Sequence, residues 1–164
     1  MYAKSKDIYF LRTAVFIIFI ILYQILSSVF QGLAPLIGLF FSYCVILRYE
    51  KEKSHQDYNH KWYYVIFFLF FAEQIHGFEL FSVAIFFGFF WNFCFGYLFS
   101  WIKIKNLFLI LLVFFGYLGI FLVSNLLCYI KNEDFLEFSY EYLIYIVIES
   151  FLAFIFLRGR IYGP

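Results

Sequence analysis

Glu149 and Glu73 are the residues whose type and position ask most for an explanation. Glu149 is the eighth residue of an apolar run at 142–157, and Glu73 lies near the end of another at 62–76. A charged side chain at the centre of a membrane helix costs about 2.5–3.5 kcal/mol on insertion scales, so such groups face the bundle interior and find partners. For Glu149 two chemistries stay open: a binding or coupling site, or a neutral acid hydrogen-bonded in the packing. On a helix, Tyr142, Tyr145 and Ala153 share its face, and Asn92, Asn125 or a tyrosine hydroxyl are its candidate partners.

The segment Glu73-Gln74-Ile75-His76-Gly77-Phe78-Glu79 is the polar cluster between two apolar runs. Glu73 and His76 stand three apart, the spacing of a di-iron ligand pair. That chemistry needs a second such pair and further glutamates, which the sequence lacks, so no metal site is expected. His55 and His60 have no matching partners. Cys44, Cys94 and Cys128 each stand alone in apolar surroundings, with no CxxC and no histidine at zinc spacing, and read as small buried hydrophobes.

Ala84, Gly88, Asn92, Gly96 and Ser100 follow one another at intervals of four. On a helix this makes one slowly drifting stripe of small or polar residues. Small residues let two helix backbones approach closely, and Asn hydrogen-bonds across such contacts. The stripe serves either packing within the bundle or docking of a partner. Gly116 and Gly119, with Ser124 and Asn125, read as packing residues of the next run.

Nucleophile elbows, Walker sequences, Asp-rich phosphate motifs and Ser-Lys or Ser-His pairs inside the apolar runs are all missing, so no enzyme and no cofactor is expected. The business of the chain is then contact, with helices, lipid or a small ligand.

The elements that carry these residues follow from composition. Of 164 residues, 65% are hydrophobic and 14% charged, with 28 Phe and 15 Tyr and a mean hydropathy of +0.88. A soluble domain is nearer half apolar and a quarter charged. Nucleic-acid binding and ordinary soluble catalysis are excluded, and long unbroken runs do not fit a β-barrel. Backbone satisfaction in lipid then demands helices.

Six apolar runs lie at about 8–30, 33–47, 62–76, 79–101, 107–130 and 142–157. The first, fourth and fifth reach the roughly 20 residues a crossing needs; the others are marginal and either span by recruiting flanking residues or thinning the bilayer, or one short pair of them is re-entrant. With the N-terminus in the cytoplasm, the inner side holds Lys4, Lys6, Arg12, Arg48, Lys51, Lys53, Lys61, Lys103, Lys105, Arg158 and Arg160, and the outer side only Lys131. This asymmetry predicts a single polytopic domain over 1–164: an all-α, six-helix transmembrane bundle with both termini cytoplasmic. The first run reads as a retained signal anchor, with a basic start and no convincing small-x-small cleavage site. Arg48–Lys61 reads as a solvated loop. The acidic outer segment Lys131–Glu141 carries Phe135, Leu136 and Phe138 between its charges and reads as lying along the membrane surface.

Two stretches resemble the rod shape-determining MreD family of small bacterial inner-membrane proteins. Leu33-Ala34-Pro35-Leu36-Ile37-Gly38-Leu39 is similar to the Pro-led start of that family's second membrane segment, and Val65–Gly88 to its central helical hairpin. In the hairpin Glu73 takes the acidic place, Gly77 the glycine and Leu80 the leucine, with His76 between them. Glu stands where Asp is usual, Phe81 occupies the second glycine place, and Glu149 falls near a family Asn. Arg158 and Arg160 fall near its basic tail. The resemblance implies a non-enzymatic scaffold or regulator of peptidoglycan elongation in the bacterial inner membrane. It would join MreC-like, RodA-like and penicillin-binding membrane proteins, and link to MreB. The family fold is similar to the substrate-binding subunits of energy-coupling-factor vitamin transporters. The alternative is thus a small-ligand-binding transport subunit, although the alanine-rich coupling motif of such subunits is absent.

Overall fold

The computed structural model describes residues 2–54, 60–101 and 105–161. His55, Lys103 and the centre of the loop after Arg48 lie outside the described residues, as do the side chains of Lys4, Lys6, Arg12, His60 and Lys105. Every element among the described residues is helical. They are α1 (Tyr2–Val29), α2 (Ile37–Ser54), α3 (His60–Ile75), α4 (Ser82–Phe89), a π-helical turn (Phe90–Cys94), α5 (Phe95–Trp101), α6 (Lys105–Lys131) and α7 (Glu141–Ile161).

Three helical segments are long and apolar enough to cross a membrane: Ser82–Trp101, in which α4, the π turn and α5 run on, Asn106–Lys131 and Glu141–Arg160. Thr13–Val29 is a shorter apolar helix. The outer faces are hydrophobic too: Phe19, Phe151 and Phe156 are 66%, 66% and 67% exposed. Water would not tolerate so continuous an apolar surface, and lipid does. These features describe a membrane protein. Helix ends depart from the apolar runs in both directions. α2 continues through the charged Arg48–Lys53 stretch, because Glu and Lys are good helix formers. The fourth run starts helical at Ser82 rather than at 79, because Glu79–Phe81 complete a turn.

α6 is the central staff, packed against α2, α4 and α7. Its contact with α2 passes through glycines. A Cβ on Gly38 would lie 2.8 Å from Val113 and 2.9 Å from Tyr117, and one on Gly116 would lie 3.3 Å from the Gly38 Cα. A Cβ on Gly119 would clash with the Phe86 ring. Around this seam Phe41, Phe86 and Phe90 cluster with centroids 5.3–5.8 Å apart, Phe41 stacked on Phe86 and edge-on to Phe90.

Two helix ends are finished by local chemistry. α3 stops at a left-handed Gly77, φ 73°, where the Phe78 N–H reaches back to the Glu73 carbonyl at 3.0 Å. α6 ends the same way at Asn132, φ 58°, with the Glu133 N–H on the Cys128 carbonyl at 2.9 Å. Both are Schellman closures, which favour Gly and then Asn.

Candidate functional site

The two intramembrane carboxylates do the same local job in different places. α2 and α4 each begin just after a residue of left-handed backbone, Leu36 (φ 61°) and Phe81 (φ 72°). Such a φ costs a side-chain-bearing residue about 1–2 kcal/mol, and the first N–H groups of the following helix need acceptors. Neither helix has a capping residue of its own chain segment: Phe81 makes no side-chain cap, and Leu36 cannot. Glutamates from other helices supply the caps. Glu149 on α7 accepts the Leu39 N–H at 2.8 Å. Glu73 on α3 accepts the Val83 N–H at 2.9 Å and the Ser82 hydroxyl. Negative charge or lone pairs at a helix N-terminus also meet the positive end of its dipole.

The two differ in completeness. The second Glu149 oxygen accepts the Tyr117 hydroxyl, so both oxygens of this fully buried carboxyl are engaged. Glu73 is equally buried, but its Oε2 has no hydrogen-bond partner among the described residues. Asn92 and Asn125, the other candidate partners for Glu149, go elsewhere. Asn125 stands two turns nearer the end of α6 than Tyr117 and clamps the loop after that helix, accepting the Leu136 N–H at 2.7 Å and donating to its carbonyl at 3.3 Å. Asn92 donates to the Gly88 carbonyl one turn back, at 2.8 Å. Tyr145, on the Glu149 face by sequence, donates instead to the Gln31 carbonyl at 2.5 Å.

Glu73 and His76 do not converge as a ligand pair. Glu73 serves α4, whereas His76 Nε2 lies 2.9 Å from Gln24 Oε1 and 3.2 Å from the Ser27 hydroxyl of α1. Gln24 in turn donates to the Pro35 carbonyl at 2.5 Å, and Tyr23 to that of Ala34 at 2.8 Å. These bonds stitch α1, the Pro35 loop and the α3–α4 turn together, and Leu80 in that turn is half exposed. The Gln24–Ser27 pair was silent in the sequence. Its signal, two polar residues three apart in an apolar run, equals that of many helix-facing serines.

Below that turn, the Glu79 N–H is held by the Ser124 hydroxyl at 2.7 Å, and the Glu79 carboxylate pairs with Lys131. The Lys131 hydrogen bond holds the Glu79 carboxyl below its ordinary value. Glu79, Cys128 and Glu133 bring a thiol and two carboxylates within 4.8 Å of one another, the one grouping of possible metal ligands among the described residues. The Lys131 ammonium already supplies that grouping with positive charge.

The small-residue stripe turns away from the bundle after Ala84, which borders a space between α2, α3 and α4. Ala84, Asn92, Gly96 and Ser100 are exposed and Gly88 is half-buried. A Cβ on Gly88 or Gly96 would meet nothing within 4 Å. The π turn at Phe90–Cys94 carries the stripe past its midpoint. Such one-turn widenings are rare in helices and frequent at functional sites. No known protein family, curated protein or solved structure matches this chain.

Proposed function

We propose that the chain is a six-span protein of the bacterial inner membrane, with both termini cytoplasmic. It works there as a non-enzymatic scaffold or regulator of the cell-wall elongation machinery. Its working surface is the stripe Ala84–Gly88–Asn92–Gly96–Ser100, which receives a helix of a partner such as an MreC-like, RodA-like or penicillin-binding membrane protein. The observation that carries this reading is the open space over Gly88 and Gly96, on a helix whose opposite face is sealed against α6. Without a hydrophobic driving force in lipid, helices associate by close packing at small residues, and this face offers it. The resemblance of Val65–Gly88 to the MreD hairpin supplies the class of partner.

Two experiments test this. A reporter fused after Gly163 reads cytoplasmic and one inserted near Asn132 reads periplasmic. A periplasmic C-terminus ends the six-span reading. Gly88→Leu and Gly96→Leu accumulate normally yet lose co-purification with the wall-elongation proteins. If both variants co-purify like the parent, the stripe faces only lipid and the proposal fails.

A further inference from the structure

A cavity of about 120 Å³ opens between α2, α3 and α4, lined by Cys44, Ile66, Leu69, Val83, Ala84 and Phe87 among others. Its wall is almost wholly apolar. An apolar cavity of about 150 Å³ in a protein core stays dry and accepts hydrocarbon, so this space suits hydrocarbon and not water or a polar metabolite.

One end of the cavity carries a charge. Arg48 stands one helical turn beyond Cys44 on the same face of α2. Its guanidinium lies 5.9 Å from the centroid of Phe87, which lines the cavity, and 4.8 Å from that of Trp91, in the π turn. The Arg48 Nε–H is shut off from water and has no hydrogen-bond acceptor among the described residues. Among the described residues it is ion-paired only loosely, with Glu52 one turn on at 3.8 Å, while 34% of the Arg48 side chain stays open. Arg160 differs, since it donates to Glu50 at 3.2 Å and lies over Tyr43. The stretch 48–53 is net positive, with Arg48, Lys51 and Lys53 against Glu50 and Glu52.

Depth agrees with this arrangement. Arg48 is eleven residues from Ile37, about 16 Å along the helix. Glu149 caps that helix start, and Arg158 and Arg160 lie about 14–17 Å further along α7. Arg48 is therefore level with the basic end of the bundle, and the cavity reaches from it toward the bilayer centre.

We propose that this groove binds one anionic phospholipid from the leaflet at the basic end of the bundle. One acyl chain lies between α2, α3 and α4, and the headgroup phosphate accepts hydrogen bonds from Arg48. A planar guanidinium held over aromatic rings fits a phosphate in two-pronged fashion, as a lysine cannot. The inference rests on the chain being a membrane protein, and on neither its orientation nor its partners.

The test is native mass spectrometry of the full chain in mild detergent, titrated with dioleoyl phosphatidylglycerol or dioleoyl phosphatidylcholine. The unaltered protein retains one phosphatidylglycerol with about tenfold or greater preference: both lipids offer the phosphate, but only phosphatidylcholine brings a cation of its own beside Arg48, and that difference is the size of one charged contact. Dihexanoyl phosphatidylglycerol and inorganic phosphate bind far more weakly, since neither fills the groove. Arg48→Gln brings the two long-chain lipids within about twofold of one another, and Ile66→Phe, which fills the groove, lowers retention of both. Equal retention of the two lipids by the unaltered protein overturns the proposal. So does phosphate or the short-chain lipid binding as tightly as the long-chain one, and so does an unchanged preference in Arg48→Gln. Gly96→Leu keeps its lipid, so loss of a protein partner and loss of the lipid are read separately.

Discussion

At Gly116 and Gly119 the small residue is small because something already fills the space beyond it, whereas at Gly88 and Gly96 the space is empty. The first pair lies on α6 in a seam closed by Phe41 and Phe86, and the second on α4 and α5, where an added Cβ meets nothing within 4 Å. Glycines at helical spacing look alike in the two runs, yet one set builds this molecule and the other leaves a surface. The lesson is that a small-residue pattern specifies close approach without saying by whom. The two carboxylates repeat the contrast: Glu149 is a completed cap, and Glu73 keeps one oxygen without a partner.

The contrast breaks most visibly at the seam. Gly119→Leu drives a side chain into the Phe86 ring, and overpacking of this kind costs about 1–3 kcal/mol or more. We expect loss of the monodisperse species in detergent and little accumulated protein. Normal accumulation would show that the seam opens more readily than its spacing implies.

Next comes the completed cap. Glu149→Leu strands the Leu39 N–H and the Tyr117 hydroxyl, at about 1–3 kcal/mol for each buried group left unpaired. Glu149→Gln retains an acceptor for Leu39, and its amide can donate to the Tyr117 oxygen, so thermal unfolding should move by less than half as much. A Gln variant as unstable as the Leu variant would mean that the negative charge itself is required. Glu73→Leu also strands two donors, the Val83 N–H and the Ser82 hydroxyl, but it removes a buried oxygen that has no partner among the described residues, so it should cost less than Glu149→Leu. The reverse order would contradict the comparison of the two caps.

The open stripe should respond in the opposite sense from the seam. Gly88→Leu and Gly96→Leu should change thermal stability by no more than about 0.5 kcal/mol, as for exposed sites, while partner co-purification falls. The smallest effect belongs to the exposed Glu79–Lys131 pair. Glu79 is held below the ordinary carboxylate value of 4.5, so its contribution is fully present above that pH and is lost as pH falls through the lower folded value. Lys131→Gln should remove this slight acid dependence and leave the neutral-pH melting temperature nearly unchanged, since surface pairs contribute little. A large shift at neutral pH would mean that the pair anchors the α3–α4 turn.

Much of this architecture is written in the apolar runs. Their length forces helices, and each of α1, α2, α3, α6 and α7 falls on a separate run, with ends displaced where charged helix formers extend them. The burial of Glu149 is also legible, since a carboxyl in mid-run has few other options. A tyrosine hydroxyl is among its expected partners, but which tyrosine it binds is not legible. Tyr117 is one of 15 tyrosines, and its pairing with Glu149 across α6 and α7 depends on how far α2 sinks into the bundle. Left-handed Leu36 and Phe81 carry no sequence mark, because neither residue favours that backbone. The π turn, which contains the Trp91 that lies beside Arg48, is likewise silent. Which glycines face inward follows from the rotation of α4 against α6, a property of the packed bundle and not of either run.

The central claim is that the stripe on α4 and α5 receives a partner helix. A photo-crosslinking amino acid placed at Asn92, in membranes of cells at native expression, tests it most directly. The account predicts one dominant protein adduct that mass spectrometry identifies as an MreC-like, RodA-like or penicillin-binding membrane protein. The same probe at Phe151, 66% exposed on α7, should give lipid adducts alone. Lipid adducts alone at Asn92 would contradict the account.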